Sequence, residues 1–82
     1  MNVERFKGSE WLVKEVRSRL INIITMYDYV TVADYYDIIG YETKYTDIKV
    51  GWISLREATI AMTDEPGIYE LILPKPIPIT FD

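Results

Sequence analysis

Residues 29–58 read YVTVADYYDIIGYETKYTDIKVGWISLREA, and the punctuation in this stretch organises the chain. Thr31-Val32-Ala33-Asp34 has the spacing of a capping box, in which a hydroxyl and a carboxylate three residues later satisfy free amides at a helix start. Val32, Tyr35, Tyr36 and Ile39 then recur at i, i+3, i+4 and i+7, the period of one apolar helix face. Gly40 follows where the left-handed residue that ends a helix is needed. The pattern predicts a short helix over 32–39, entered from an extended Tyr29-Val30. Residues 41–50 show no period, and Gly51 is expected to interrupt any strand there. Ser54-Leu55-Arg56-Glu57 repeats the capping spacing and predicts one helical turn over 54–58.

Upstream, Ser9 is a candidate N-cap with Glu10 in the first turn, where a negative charge suits the helix dipole. Leu12, Val16, Leu20, Ile23 and Tyr27, flanked by Val13 and Ile24, form one broad apolar stripe. A long helix over about 9–27 is expected, with a start as early as Glu4 left open. Downstream, two alternating runs, 58–63 and 68–73, enclose Asp64-Glu65-Pro66-Gly67 and read as a β-hairpin. Pro74-Lys75-Pro76-Ile77-Pro78 lacks the amides for a continuous ladder and reads as an extended proline-rich tail. This tail, 73–81, is expected to pack on its own hairpin, the alternative being a crossing to a neighbouring molecule. The fold class expected is α+β, one small domain over 1–82: long helix, short helix, C-terminal hairpin and tail.

Composition narrows the chemistry. With 82 residues, such a chain buries roughly 60–65% of its unfolded surface, so its core must be dense. The 13% aromatic content suits that need, because neither cysteine nor histidine is present to cross-link or bind metal. Their absence excludes disulfides, thiolate chemistry and imidazole acid–base catalysis. No catalytic residue, metal site or cofactor is assigned, and the chain is not expected to be an enzyme. The longest uncharged stretch, Leu20 to Tyr27, is far short of the roughly 20 residues of a membrane span. The charged N-terminus MNVERFKGSE has no apolar core segment, so no secretory signal is expected.

Charge is uneven. Residues 1–20 balance at +2, whereas residues 21–48 set Asp28, Asp34, Asp37, Glu42 and Asp47 against Lys44 alone. Such an acidic middle disfavours nucleic acid as a partner. Asp34 and Asp37 read as a helix cap and a solvated side chain in preference to a carboxylate pair. Asp47 reads first as a turn-former and second as a site residue in an irregular loop.

Seven tyrosines and two tryptophans are too many for all to be buried. One arrangement is a core of Tyr27, Tyr36, Trp52 and Tyr69 with the others partly exposed. The other is a partner-binding surface of Tyr35, Tyr41 and Tyr45 with Asp47, since tyrosine is enriched at protein interfaces.

The element order invites a winged-helix comparison, yet no basic recognition helix is visible among Lys44, Lys49 and the 54–58 segment. The stretch 30–40 resembles the VTVADLYDLVG segment of small uncharacterised proteins of tailed phages and prophages. Tyr45-Thr46-Asp47, Lys49, Gly51-Trp52, Leu55, Ala58, Gly67 and Leu73-Pro74-Lys75-Pro76 are similar too, so the resemblance spans about 20–79. This chain departs from the pattern at Val50, where an aromatic is usual, at Ile53-Ser54, and in an acidic hairpin loop. The resemblance implies a phage or prophage origin and a bacterial cytoplasmic location, and brings no reaction. The function expected is an accessory protein that binds another protein, to inhibit or redirect a host factor. The alternatives are a self-associating virion or assembly component and a winged-helix DNA binder.

Overall fold

The computed structural model describes residues 2–79, and residues 80 and 81 of the expected tail lie outside them. Eight elements follow in order: β1 (Phe6–Gly8), α1 (Glu10–Tyr27), β2 (Val30–Thr31), α2 (Val32–Ile39), β3 (Val50–Trp52), β4 (Thr59–Met62), β5 (Tyr69–Ile72) and β6 (Ile77–Pro78). A 3-10 turn, Tyr45–Ile48, lies between α2 and β3. This is an α+β architecture of two helices and two small antiparallel sheets.

Ser9 caps α1, its hydroxyl accepting the Leu12 amide at 3.2 Å. The helix ends at Asp28, whose left-handed backbone (φ 71°) aims its amide at the Ile24 carbonyl, 2.7 Å away. Asp is among the residues that tolerate this conformation. Val13, Val16 and Leu20 are buried along the stripe. Leu12 lies at its margin, and Tyr27, in the last turn, is 60% exposed and leaves the expected core. The helix does not extend back towards Glu4. Residues 6–8 are a strand instead, because β5 offers them a ladder that local sequence cannot reveal.

The expected hairpin is present. β4 and β5 pair with Ile60 opposite Leu71, the Gly67 turn residue takes φ 79°, and Thr63 donates to the Ile68 carbonyl at 3.0 Å. β1 joins the far side of β5, giving the order β1-β5-β4 with Phe6 also opposite Leu71. Leu71 is fully buried between them, and Arg5 reaches Glu70 at 3.3 Å beside β1.

The second sheet has the order β2-β3-β6. Here Gly51 sits inside a strand it was expected to break. A Cβ at Gly51 would lie 2.0 Å from the Val30 carbonyl oxygen and 2.7 Å from the Thr31 Cα. The missing side chain is what lets β3 approach β2. The tail folds back on its own chain, but onto β3 and not onto the hairpin: Val50 faces Pro78, and the Ile79 amide donates to the Lys49 carbonyl at 2.8 Å. Trp52 secures it by donating from Nε1 to the Pro74 carbonyl at 2.7 Å. Pro78 is tolerated because β6 is an edge strand.

Residues 54–58 form a turn instead of the expected helical turn, with the Ser54 hydroxyl accepting the Arg56 amide and Ala58 donating to the Leu55 carbonyl. The winged-helix likeness therefore extends to element order only. The place of a recognition helix is taken by the 3-10 turn and β3, and the hairpin draws its third strand from residues 6–8.

Candidate protein-binding surface

The capping box at α2 is complete: the Thr31 hydroxyl accepts the Asp34 amide at 3.1 Å, and the Asp34 carboxylate accepts the Thr31 amide at 3.0 Å. Asp34 is thereby committed to the helix start, and Asp37 is exposed. Among the described residues no three metal-ligating side chains converge.

The cap fixes the phase of α2, so Tyr35 and Tyr36 point inwards. Tyr35 is fully buried. Its ring meets Trp52 edge-on, with centroids 6.1 Å apart and planes at 88°, and its hydroxyl donates to the Glu4 carbonyl at 2.6 Å. Burial pushes its pKa from 10.0 up to about 12, with the Phe6 backbone pulling the other way. Tyr35 is thus a core residue and not the contact residue expected of it. An aromatic at i+3 of a capped helix belongs to the same face as Val32, which is also buried.

Tyr36 carries the core outwards to the surface. Its hydroxyl accepts the Glu4 amide at 3.2 Å, so the two tyrosines hold both backbone groups of Glu4. Gly40 takes a left-handed conformation (φ 84°) and turns the chain back, with the Tyr41 amide donating to the Tyr36 carbonyl at 2.8 Å. Tyr41 consequently stacks on Tyr36, centroids 5.8 Å apart and planes at 26°, and remains 46% exposed.

Asp47 is only 2% exposed. Its Oδ2 accepts the Lys44 amide at 2.8 Å and closes the 3-10 turn, so the turn-forming reading holds and most of the Asp47 side chain is enclosed at the edge of the loop. Tyr45 projects from the same turn, 72% exposed, with the Lys49 ammonium 4.5 Å from its ring centre. A groove of about 360 Å³ lies between the N-terminal segment and this loop, lined in part by Glu4, Tyr36, Tyr41, Glu42, Lys44 and Asp47.

Of the four residues expected to bind a partner, Tyr41 and Tyr45 are at the surface, Asp47 is buried at the groove, and Tyr35 lies beneath it. Glu4, Tyr36 and Glu42 belong to the groove without having been anticipated. Tyr36 could have been found from its five-residue separation from Tyr41 across Gly40. Glu4 could not, because only the folded chain brings it to α2.

No helix among the described residues is long and apolar enough to cross a membrane. Compared with protein-family models, curated proteins and solved structures, the chain matches none of them.

Proposed function

We propose that this chain is a small protein-binding module, an accessory protein of phage or prophage origin that acts on a protein in a bacterial cytoplasm. The observation that carries the reading is the presentation of Tyr41. Its ring rests on Tyr36, which is itself hydrogen-bonded to the Glu4 backbone, so a half-exposed aromatic is held in one orientation beside a groove. A ring immobilised before binding loses little entropy on contact, which is how tyrosine anchors work at interfaces. Tyr45 adds a second exposed ring on the adjoining turn. The module works by contact, with no reaction and no cofactor assigned to it. Glu4, Glu42 and Asp47 around the tyrosines disfavour a phosphate backbone, which supports a protein as the partner over nucleic acid.

Affinity capture from expressing bacterial cells tests this. The wild-type chain should retain a defined protein that a Tyr41→Ala/Tyr45→Ala double variant with unchanged melting temperature loses. If nothing rises above background, or the double variant captures the same protein equally well, the reading falls.

A second reading, self-association as an assembly component, is favoured by β4. It is an outer strand whose sequence, Thr59-Ile60-Ala61-Met62, contains neither charge nor proline to discourage edge pairing. Thr63 bonds across the hairpin to Ile68, so by antiparallel alternation the main-chain groups of Ile60 and Met62 face the open edge. Light scattering at high concentration decides it, a strict monomer being the adverse result.

A further inference from the structure

We infer that the groove between Tyr41 and Asp47 receives an arginine side chain, so that the partner presents a basic segment; this rests on the protein-binding reading above. Asp47 is nearly sealed from solvent, yet its one side-chain hydrogen bond, from the Lys44 amide, occupies Oδ2 alone. Among the described residues no sealed polar side-chain atom lacks a partner, so the second carboxylate oxygen opens to the groove that Asp47 lines. A buried carboxylate with half its accepting capacity unused calls for a donor from outside. Among the described residues that line the groove, Glu4 and Glu42 stand against Lys44 as the only cation, and this negative balance selects for a cation.

The aromatic wall distinguishes arginine from lysine. Tyr36 covers one face of the Tyr41 ring, and Tyr41 as a residue remains 46% exposed. A planar guanidinium can stack on that exposed ring while its N–H fork reaches a carboxylate, whereas an ammonium meets each group only as a point charge.

The test titrates the isotope-labelled full chain with a capped Gly-Ser-Arg-Ser-Gly peptide, followed by amide chemical shifts. Citrulline and lysine versions of the peptide serve as the neutral and point-charge controls. Shifts should concentrate at Tyr41, Glu42 and Asp47, weaken with salt, and need about tenfold more citrulline peptide for the same response. Tyr41→Ala and Asp47→Asn should each weaken binding by a similar factor. Because Asp47→Asn loosens the turn, Glu42→Gln, at an exposed position, gives a second charge test in a folded chain, and it should lower affinity several-fold. Equal response to citrulline, equal response to lysine, or shifts centred elsewhere overturns the inference. The two readings fail separately. A captured protein that survives both excess arginine peptide and Tyr41→Ala leaves the module and removes the groove. Arginine-specific shifts with an empty capture do the reverse.

Discussion

In the sheet ordered β1-β5-β4, full side chains pack along the strands: Phe6, Leu71 and Ile60 stand in one row, and Leu71 is buried between the other two. In the sheet ordered β2-β3-β6, β3 meets β2 at Gly51, where even one carbon would strike the Val30 carbonyl. The first sheet tolerates variation because side chains can shift. The second cannot, because its closest contact is backbone against backbone. The candidate binding surface hangs from the second sheet, through α2 on one side and the 3-10 turn on the other.

Substituting one glycine in each sheet measures this contrast most directly. Gly51→Ala should destabilise by at least about 4 kcal/mol, since the strands must separate to admit the new carbon. A chain of this length holds roughly 4–12 kcal/mol, so the loss removes about a third or more of its stability. Gly8→Ala meets the flexible end of Leu12 at 3.3 Å, and the stiffer unfolded chain compensates, so its effect should stay within about 1 kcal/mol. Urea denaturation of both reads the difference, and comparable losses would remove the distinction between the sheets.

The tryptophans repeat the comparison at a smaller scale. Trp52 is 2% exposed, touches Tyr35 and holds the tail through Pro74, so Trp52→Ala should cost about 3–5 kcal/mol. Trp11, 72% exposed on the first turn of α1, should change stability by less than about 0.5 kcal/mol when replaced by alanine. Thermal melts suffice. An unmoved melting temperature for Trp52→Ala would contradict its burial.

The same contrast explains what the sequence made legible. The hairpin, the two helices and their caps depend on signals within a few residues: alternation, the 3.6-residue period, Ser9, Thr31 and Gly40. Each of these appears where it was read. Strands β1, β3 and β6 depend on partners far along the chain, which is why local sequence leaves a helix start near Glu4 open and makes Gly51 look like a breaker. The tyrosines divide likewise. Tyr41 and Tyr45 follow a helix stop and enter an irregular loop, which put them at the surface. Tyr35 was misplaced because aromatic abundance was weighed above its position on the same helix face as Val32. The groove's acidic wall was half visible, since Glu42 and Asp47 are neighbours in sequence while Glu4 arrives only by folding.

Tyr35, packed on Trp52 of the β2-β3-β6 sheet, also gives that region a pH dependence of its own. Its folded pKa, about 12, lies above the ordinary 10.0 because burial disfavours the phenolate. Between those values the native chain holds a proton that the unfolded chain releases, so stability declines as pH rises. The contribution is fully present below pH 10, where both states are protonated, and is lost as pH climbs through about 12, a fall of about 3 kcal/mol. Tyr35→Phe removes this titration together with the hydrogen bond to Glu4. Near neutral pH it should cost about 1 kcal/mol, and the gap to wild type should close and then reverse as pH passes from 10 to 12. Parallel stability profiles across that window would mean that the Tyr35 hydroxyl reaches solvent, and that the small sheet is looser around it than the Gly51 contact requires.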